Sequence, residues 1–338
     1  MGYVPALDGL RALAVILVLA FHAKVPFLKG GFLGVDVFFV LSGFLITGLL
    51  LAEVDRTGGI NIWRFYKRRA FRLMPPLGVM LLLYLVLAPF AWPDYPYHAR
   101  DALLAGAYLS DYTKALFNAP NMLRHTWSLS IEEHFYALWP LLLIGLRRCS
   151  PSAIIAIIAV LYIVATAWRF SALSGQNWMM VYPRFDTRLS GLIFGALLAA
   201  TLRVVNIKRV PVGVPLGLAL LVVVIVTNAW RDPDSLKYGV VAAEAATLLL
   251  LIACVNGSGR SWLSSSALTY IGRLSYGIYL FHFPIILYLR TQYSWPLTLV
   301  IGGLAAFFLA AVSYHTVEAW ARNRVRTLTG YEASACTH

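Results

Sequence analysis

Three ionisable residues in the apolar parts of the chain could together carry out acid–base chemistry. His22 lies near the end of the first apolar run, Asp36 near the start of the second, and Glu132 near the start of a later one. A carboxylate beside an imidazole fixes its tautomer and stabilises its protonated form, as a general base or an acyl carrier requires. We therefore predict a catalytic dyad of His22 with Glu132 or Asp36. The same residue types also form proton relays in transporters.

Arg11 shares the first apolar run with His22. The two residues are eleven positions apart, so on a helix they lie on one face, about 16 Å apart along the axis. Asp8 lies close to the same face. The alternative for His22 is an interfacial side chain that reaches for lipid headgroups.

A basic segment that precedes the third apolar run could bind phosphate groups. Residues 64–72 contain five Lys or Arg residues, and Arg68 and Arg72, one helical turn apart, could clamp phosphates. Three aromatic residues in the segment could stack on a nucleobase: Trp63, Phe65 and Tyr66. The alternative is anchoring to anionic lipid headgroups. We expect the following helix to begin at Pro75.

Two further groups of polar residues lie near the end of the chain. Ser275, Tyr279 and His282 have the spacing i, i+4, i+7, which predicts one polar stripe on a helix. In a membrane such a stripe must face protein or water. Glu318, near the end of the last apolar run, could pair with an arginine.

The elements that position these residues must be membrane helices. Of the 338 residues, 60% are hydrophobic and 13% are charged, with a mean hydropathy of +0.72, whereas soluble domains are about 45–50% apolar and about 25% charged. This composition excludes a soluble globular enzyme and a disordered chain. The three cysteines are far apart and lack the paired spacing of a metal site, so no metal is expected. In a membrane protein a net charge such as +13 usually reflects the concentration of Lys and Arg in the cytoplasmic loops, and so indicates the topology.

The apolar runs predict an all-α, polytopic membrane bundle of about ten transmembrane helices. The expected spans are 7–24, 32–52, 75–92, 128–146, 152–168, 187–203, 212–229, 240–255, 274–290 and 296–317. Segment 102–117 is long enough to cross but is interrupted by polar residues. If it does not span, one side of the membrane holds both termini and 16 Lys and Arg, against 10 on the other side. This asymmetry predicts that both termini are cytoplasmic.

These motifs jointly resemble the acyltransferase family 3 of membrane proteins. The similarity lies in residues 7–14 with His22, 34–44, 66–69 with Arg72, 127–129 with Glu132 and Glu133, 275–276 with Tyr279 and His282, and 317–318. The motifs come in the order of the family along nearly the whole chain. His134 stands where a glutamine is commoner, and Ala319 stands where a proline is usual.

The resemblance implies a membrane O-acyltransferase. Such enzymes transfer an acyl group, most often acetyl from acetyl-CoA, to hydroxyls of sugars and related acceptors. Arg11, His22, Arg69 and Arg72 match residues that the family holds essential. This implies that cytoplasmic acetyl-CoA docks at residues 68–72 and that His22 deprotonates the acceptor or relays the acyl group.

The site predicted from residues and resemblance has three parts. The catalytic residues are His22, Glu132 and Asp36; acetyl-CoA is bound by Arg11, Arg68, Arg69 and Arg72; the substrate is bound by Trp127, Ser128, Glu133, Ser275, Tyr279 and His282. The expected partners are acyl-CoA, a glycan or glycolipid acceptor such as O-antigen, exopolysaccharide or peptidoglycan, and membrane lipids, with no nucleic acid.

The expected organisation is one transmembrane domain over 1–320 and a short cytoplasmic tail over 321–338, in a bacterial cytoplasmic (inner) membrane. The competing function is a proton-coupled transporter or exporter of a small molecule or glycan, which also uses scattered His, Asp and Glu residues. It predicts repeated halves and helices broken near the midplane, and no such repeat is found in the sequence.

Overall fold

The computed structural model describes residues 3–206, 212–257 and 262–329, and within these ranges the regular elements are helices. They are α1 (Pro5–His22), α2 (Gly34–Thr57), α3 (Ile62–Ala91), α4 (His98–Gly106), α5 (Ser110–Phe117), α6 (Trp127–Leu146), α7 (Pro151–Gly175), α8 (Trp178–Val181), α9 (Phe185–Arg188), α10 (Ser190–Thr201), α11 (Gly213–Thr227), α12 (Val240–Val255), α13 (Ser266–Leu289), α14 (Trp295–Ser313) and α15 (Ala319–Thr329). The predicted all-α class is therefore confirmed for the described part of the chain.

Six stretches of the described chain are long and apolar enough to cross a membrane. They are Pro5–His22, Gly31–Thr57, Ile62–Ala91, Pro151–Gly175, Ser235–Val255 and Trp295–Val325. The other four expected spans correspond to α6, α10, α11 and α13. Helices α10 and α11 have only 12 and 15 residues, and α6 and α13 carry the polar residues discussed above. A multi-pass membrane bundle is supported, whereas the count of ten and the side of the termini stay predictions.

Segment 102–117 does not form one helix. It falls into α4 and α5, which have 9 and 8 residues. A span needs about 20 residues, so neither helix is long enough to cross. The turn between them has Tyr108 at φ 55°, a left-handed conformation that interrupts the helix.

Helix α3 begins earlier than expected. It starts at Ile62, where the side chain of Asn61 accepts a hydrogen bond from the backbone N–H of Arg64 at 2.9 Å, and it continues through Pro75 to Ala91. The expectation that a helix begins at Pro75 was wrong. As a result the basic segment is helical, so its arginines project from a rigid element.

Glycines allow the central helices to approach closely. A Cβ added at Gly272 of α13 would lie 1.9 Å from the carbonyl oxygen of Asp8 on α1. Likewise, a Cβ added at Gly195 of α10 would lie 1.9 Å from the carbonyl oxygen of Val40 on α2. Small residues serve this purpose at membrane helix interfaces. The contact at Gly272 holds α1 against α13, which brings the polar residues of both helices together.

Some sequence expectations fall on parts of the chain that lie outside the described residues. These parts are Lys208, Arg209 and Arg260 of the basic loops and residues 330–338 of the expected tail. Of that tail, the described part belongs to helix α15, which packs on α3.

Candidate active site

A large cavity runs along α2 through much of the bundle. Its volume is about 1110 Å³, and its lining on α2 extends from Val35 to Arg56, a distance of about 30 Å for a helix. The far end lies beside Gly34, which packs against Val18 of α1. His22 is one helical turn beyond Val18, so the cavity reaches close to the level of His22.

Arginine dominates the charged lining of the cavity. The lining arginines are Arg11, Arg56, Arg64, Arg68, Arg69, Arg72, Arg273 and Arg322, and the lining acids are Asp8, Glu53, Glu132 and Glu318. We call this the arginine end of the cavity, because most of these residues come from the last turns of α2, the first half of α3 and α15. Such a surface suits a ligand with several phosphate groups.

The predicted phosphate-binding residues lie together here. Arg11, Arg68, Arg69 and Arg72, from α1 and α3, all line the cavity. Arg11 also donates a hydrogen bond to Asp8 at 3.0 Å, and the guanidinium carbon of Arg69 lies 4.3 Å from the ring centre of Tyr136. The ion pair and the cation–π contact orient two guanidinium groups without covering them.

Only one of the three candidate stacking residues reaches the cavity. Phe65 lines it, whereas Trp63 is 67% exposed and packs under Lys67. The hydroxyl of Tyr66 donates to the backbone carbonyl of Ala137. The helical form of the segment explains this, because side chains at successive helix positions point in different directions.

Glu132 lies in the wall of the cavity and is held there by α2. The hydroxyl of Ser42 donates a hydrogen bond to its Oε1 at 2.6 Å, and both residues line the cavity. Tyr136, one turn further along α6, lines the same wall. Glu132 is therefore the lining acid nearest the middle of the membrane bundle, with its carboxylate oriented by a hydroxyl.

A pair of hydroxyl groups stands at the far end of the cavity. Oγ of Ser128 and the hydroxyl of Tyr279 are 2.6 Å apart, and the Tyr279 hydroxyl also donates to the carbonyl of His125 at 2.9 Å. Ser128, Tyr279 and Ser275 line the cavity. Ser275, Tyr279 and His282 are 6%, 6% and 0% exposed, so the predicted polar stripe does face the protein interior.

His22 lies just beyond this hydroxyl pair, among other imidazoles. Its Nδ1 is 3.0 Å from Nε2 of His282, and the ring of His282 packs 5.3 Å from that of Tyr279 and 5.6 Å from that of His125. The ring of His282 thus lies between Tyr279, which lines the cavity, and His22. We call His22, His125 and His282 the histidine cluster.

Arginine side chains lie near the histidine cluster, on the side away from the cavity. The guanidinium of Arg124 lies 5.1 Å from the ring centre of Phe283, which contacts His22 edge to face at 5.0 Å. Burial, together with the nearby Arg290 and Arg231, lowers the pKa of Arg124 to about 10. This end of the bundle therefore carries a field that attracts anionic groups.

The predicted dyad of His22 with a carboxylate does not form. Both oxygens of Asp36 accept from Nη2 of Arg188 at 2.8 Å, and Glu132 accepts from Ser42. The prediction compared depths along the helices, whereas the direction in which each side chain points decides its partner. Asp36 faces α9, because α2 packs against the chain that contains α9 and α10.

Three residues predicted to bind substrate are not part of the cavity lining: Trp127, Glu133 and His282. The Trp127 ring packs 4.6 Å from that of Tyr182 and 6.0 Å from that of Phe39, inside the apolar core. The buried Oε1 of Glu133 has no hydrogen-bond partner among the described residues, and Arg69 lies near both Glu132 and Glu133. Adjacent positions on α6 face different sides of the helix, so Glu132 lines the cavity and Glu133 does not.

Several residues at the site were not among the predicted site residues. They are Ser42, His125, Tyr136, Arg273 and Arg322. The spacing of Tyr136, four positions after Glu132, was a usable signal, since residues four apart share a helix face. The pairing expected for Glu318 is confirmed, because Arg322 lies 3.9 Å from it. Among the described residues, no three His, Cys, Asp or Glu side chains are arranged to hold a metal ion.

Comparison with known proteins gives a consistent family assignment. The model of an acyltransferase domain family, acyltransferase 3, matches residues 4–315. The chain is 34% identical to the O-acetyltransferase OatA of Staphylococcus aureus over 94% of its length. It is 31% identical to the peptidoglycan O-acetyltransferase OatA of Listeria monocytogenes and 31% identical to the putative peptidoglycan O-acetyltransferase YrhL of Bacillus subtilis, also over 94%.

The chain spans little more than half the length of these relatives, 57%, 55% and 54% respectively. No solved structure matches it. The family model nevertheless covers nearly the whole chain, including the arginines, Glu132 and the histidine cluster. The chain belongs to the acyltransferase 3 family.

Proposed function

We propose that this chain is a membrane O-acetyltransferase that takes an acetyl group from acetyl-CoA and delivers it to a hydroxyl of an envelope glycan. The observation that carries the proposal is the cavity, which is rich in arginine at one end and reaches the Ser128–Tyr279 hydroxyl pair at the other. It offers charge for a phosphate-bearing donor and room for an acyl group as far as the Ser128–Tyr279 pair, and the ring of His282 lies between Tyr279 and His22.

The arginine end is the proposed docking site of the CoA phosphates. Arg11, Arg68, Arg69 and Arg72 approach the cavity from α1 and α3, and bidentate arginine contacts suit phosphate geometry. Phe65, which also lines the cavity, offers an aromatic face to the adenine. With this assignment the arginine end faces the cytoplasm, where acetyl-CoA is made, and both termini lie on the same side of a bacterial inner membrane.

The thioester would then lie deeper, towards Ser128 and Tyr279. The pantetheine arm is long and mostly uncharged, which suits the less charged part of the cavity beyond Glu132. In the transfer, the acceptor oxygen bonds to the acetyl carbonyl carbon and the C–S bond breaks. His22 takes the hydroxyl proton, and the sulfur leaves as the thiol after gaining a proton. Direct transfer and transfer through a covalent acyl-enzyme would both require these residues.

Peptidoglycan is the acceptor to be tested first, because the relatives in Listeria monocytogenes and Bacillus subtilis carry that substrate in their names. Arg124 and its neighbours lie beside the histidine cluster, opposite the cavity, where an acceptor from outside the cytoplasm would arrive. O-antigen and exopolysaccharide supply similar hydroxyls and serve as comparison acceptors.

The test measures acetyl-CoA binding and CoA release by the detergent-purified chain, with and without peptidoglycan fragments. We expect release that the acceptor stimulates and that His22→Ala abolishes while the protein stays folded. Arg72→Ala should weaken acetyl-CoA binding, whereas Arg148→Ala, at an exposed arginine away from the cavity, should not. A folded wild-type protein that neither binds nor consumes acetyl-CoA would contradict the proposal and favour a transporter.

A further inference from the structure

The partner of His22 is a second histidine, and the contacts of that histidine determine which nitrogen of His22 can act as a base. His22 stands at the end of α1 and His282 on α13, two helices that pack along their lengths. Nδ1 of His22 and Nε2 of His282 are 3.0 Å apart. One of these nitrogens must carry the proton that they share.

A backbone carbonyl fixes the proton on His282. Its Nδ1 lies 2.7 Å from the carbonyl oxygen of Tyr279, and because a carbonyl can only accept, Nδ1 of His282 must be the protonated nitrogen. His282 is fully buried, and no acidic side chain is among the hydrogen-bond and ion-pair partners found for it in the described chain. A buried imidazole without an acidic partner stays neutral. Its Nε2 therefore carries a lone pair.

The proton in the His22–His282 hydrogen bond must then belong to His22. Nδ1–H of His22 donates to Nε2 of His282, so neutral His22 has no proton on its own Nε2. Within residues 3–206, 212–257 and 262–329, no hydrogen-bond partner is found for Nε2 of His22, and His22 is partly exposed. This nitrogen is a bare, accessible base.

The third member of the histidine cluster, His125, takes no part in the hydrogen bond between His22 and His282, because its Nε2 has another partner. Nε2 of His125 lies 3.2 Å from the carbonyl oxygen of Leu280, which makes it the protonated nitrogen, and its ring stacks on Phe283 at 4.8 Å. The ring of His125 also contacts that of His282, with 5.6 Å between the ring centres. The orientation of His282 follows from two elements, α13 itself and the chain before α6.

We propose that His282 is a positioning residue, which holds His22 in the Nδ1–H tautomer so that Nε2 receives the proton of the acceptor hydroxyl. The proposal rests on the proposed function and assigns to a neutral imidazole the role that a carboxylate has in a Ser-His-Asp triad. A neutral partner avoids placing a fixed negative charge in the membrane, where an isolated charge is costly.

The test compares His282→Leu, which removes the acceptor for Nδ1–H of His22, with His282→Gln, whose amide oxygen can replace Nε2. We expect His282→Leu to lower kcat on the order of 10- to 100-fold, the scale of one lost hydrogen bond to a group that becomes charged, with KM for acetyl-CoA unchanged. His282→Gln should recover most of that kcat. His315→Leu, at an exposed histidine outside the cavity, is the matched control.

A second readout does not depend on activity. In protein labelled with ¹⁵N-histidine, the nitrogen shifts of the His22 ring, assigned with His22→Gln, report which nitrogen is protonated. We expect Nδ1–H in the wild type and in His282→Gln, and a shift towards Nε2–H in His282→Leu. A wild-type His22 protonated on Nε2 would overturn the proposal, as would full activity of His282→Leu.

The two readouts separate this inference from the proposed function. If acetyl transfer is absent from the wild type but the His22 tautomer follows residue 282, the positioning role of His282 stands and the acyltransferase function fails. If transfer depends on His22 but its tautomer ignores residue 282, the positioning role fails and the function stands. A His282→Gln variant that keeps Nδ1–H on His22 yet is inactive would also overturn the proposal, since His282 would then act in the chemistry itself.

Discussion

Nη2 of Arg188 donates to both carboxylate oxygens of Asp36, at 2.8 Å each, and both side chains are almost completely buried. In the part of the chain that the structure describes, Nε and Nη1 of Arg188 have no hydrogen-bond partner, so the Asp36 carboxylate is the main group that compensates the positive charge. The guanidinium also lies 4.9 Å from the ring centre of Tyr182. These contacts make Asp36 a structural residue of the bundle.

Asp36→Asn is therefore expected to destabilise the protein. Breaking a buried ion pair by removing one partner costs about 3–5 kcal/mol, because the other charge is left uncompensated. The midpoint of thermal unfolding in detergent should fall, and the double variant Asp36→Leu with Arg188→Met should recover much of the loss. A stable Asp36→Asn protein that has lost only acetyl transfer would instead return Asp36 to the catalytic residues.

The hydrogen bond from Ser42 to Glu132 predicts a kinetic effect without a loss of fold. The sequence predicts that Glu132 is catalytic, and a hydrogen bond to a charged group contributes about 1.5–3 kcal/mol. If Glu132 acts in the transfer, Ser42→Ala should reduce kcat roughly tenfold or more. Initial rates at saturating acetyl-CoA measure it, with Glu132→Gln as the reference for complete loss of the carboxylate. If Ser42→Ala matches the wild type, the orientation of Glu132 does not matter for the reaction.

The cation–π contact of Arg69 with Tyr136 predicts that arginine and lysine are not equivalent at this position. Arginine is planar and forked, whereas lysine is a single flexible ammonium group that cannot contact phosphate bidentately. Arg69→Lys should raise the Kd for acetyl-CoA about tenfold, the effect of about 1.4 kcal/mol, as measured by isothermal titration calorimetry. Arg148→Lys provides the control, and equal affinities of the two variants would remove Arg69 from the donor site.

The close approach at Gly272 predicts that a single methyl group disturbs the site. Gly272→Ala places a Cβ against the carbonyl oxygen of Asp8, and such overpacking typically costs about 1–3 kcal/mol. Thermal unfolding should show this loss, and activity should fall because α1 and α13 separate. Gly145→Ala on α6 meets no atom of the described residues within 4 Å and lies outside the cavity lining, so it should be neutral or stabilising. Similar behaviour of both variants would contradict the packing argument.

Lys114 on α5 predicts a pH dependence of stability. Burial, chiefly, together with the charge of Arg124, lowers its pKa from 10.5 to about 8 in the folded protein. Between these values the unfolded chain binds more protons than the folded one, so the free energy of unfolding should rise with pH from about 8 towards 10. The rise should be smaller in Lys114→Gln, as thermal unfolding across this range would reveal. Identical pH profiles would mean that Lys114 titrates normally.

Much of this protein follows from the sequence alone. Composition and the length of the apolar runs specify a membrane helix bundle, because a bilayer demands long apolar helices whose backbone groups are satisfied internally. The i, i+4, i+7 spacing of Ser275, Tyr279 and His282 predicts a buried stripe, since a polar helix face cannot point to lipid. The basic residues of α3 and Arg11 of α1 indicate the arginine end of the candidate site, and His22 of α1 indicates the other end.

The tertiary structure decided how these residues are paired. His22, Asp36 and Glu132 were expected to meet because they belong to similar depths, but depth leaves the direction of each side chain open. The packing of α2 against the segment with α9 and α10 directs Asp36 to Arg188, and the glycine contact between α1 and α13 directs His22 to His282. Partners such as Ser42 and His125 come from distant parts of the chain, and helix periodicity carries no information about contacts between helices.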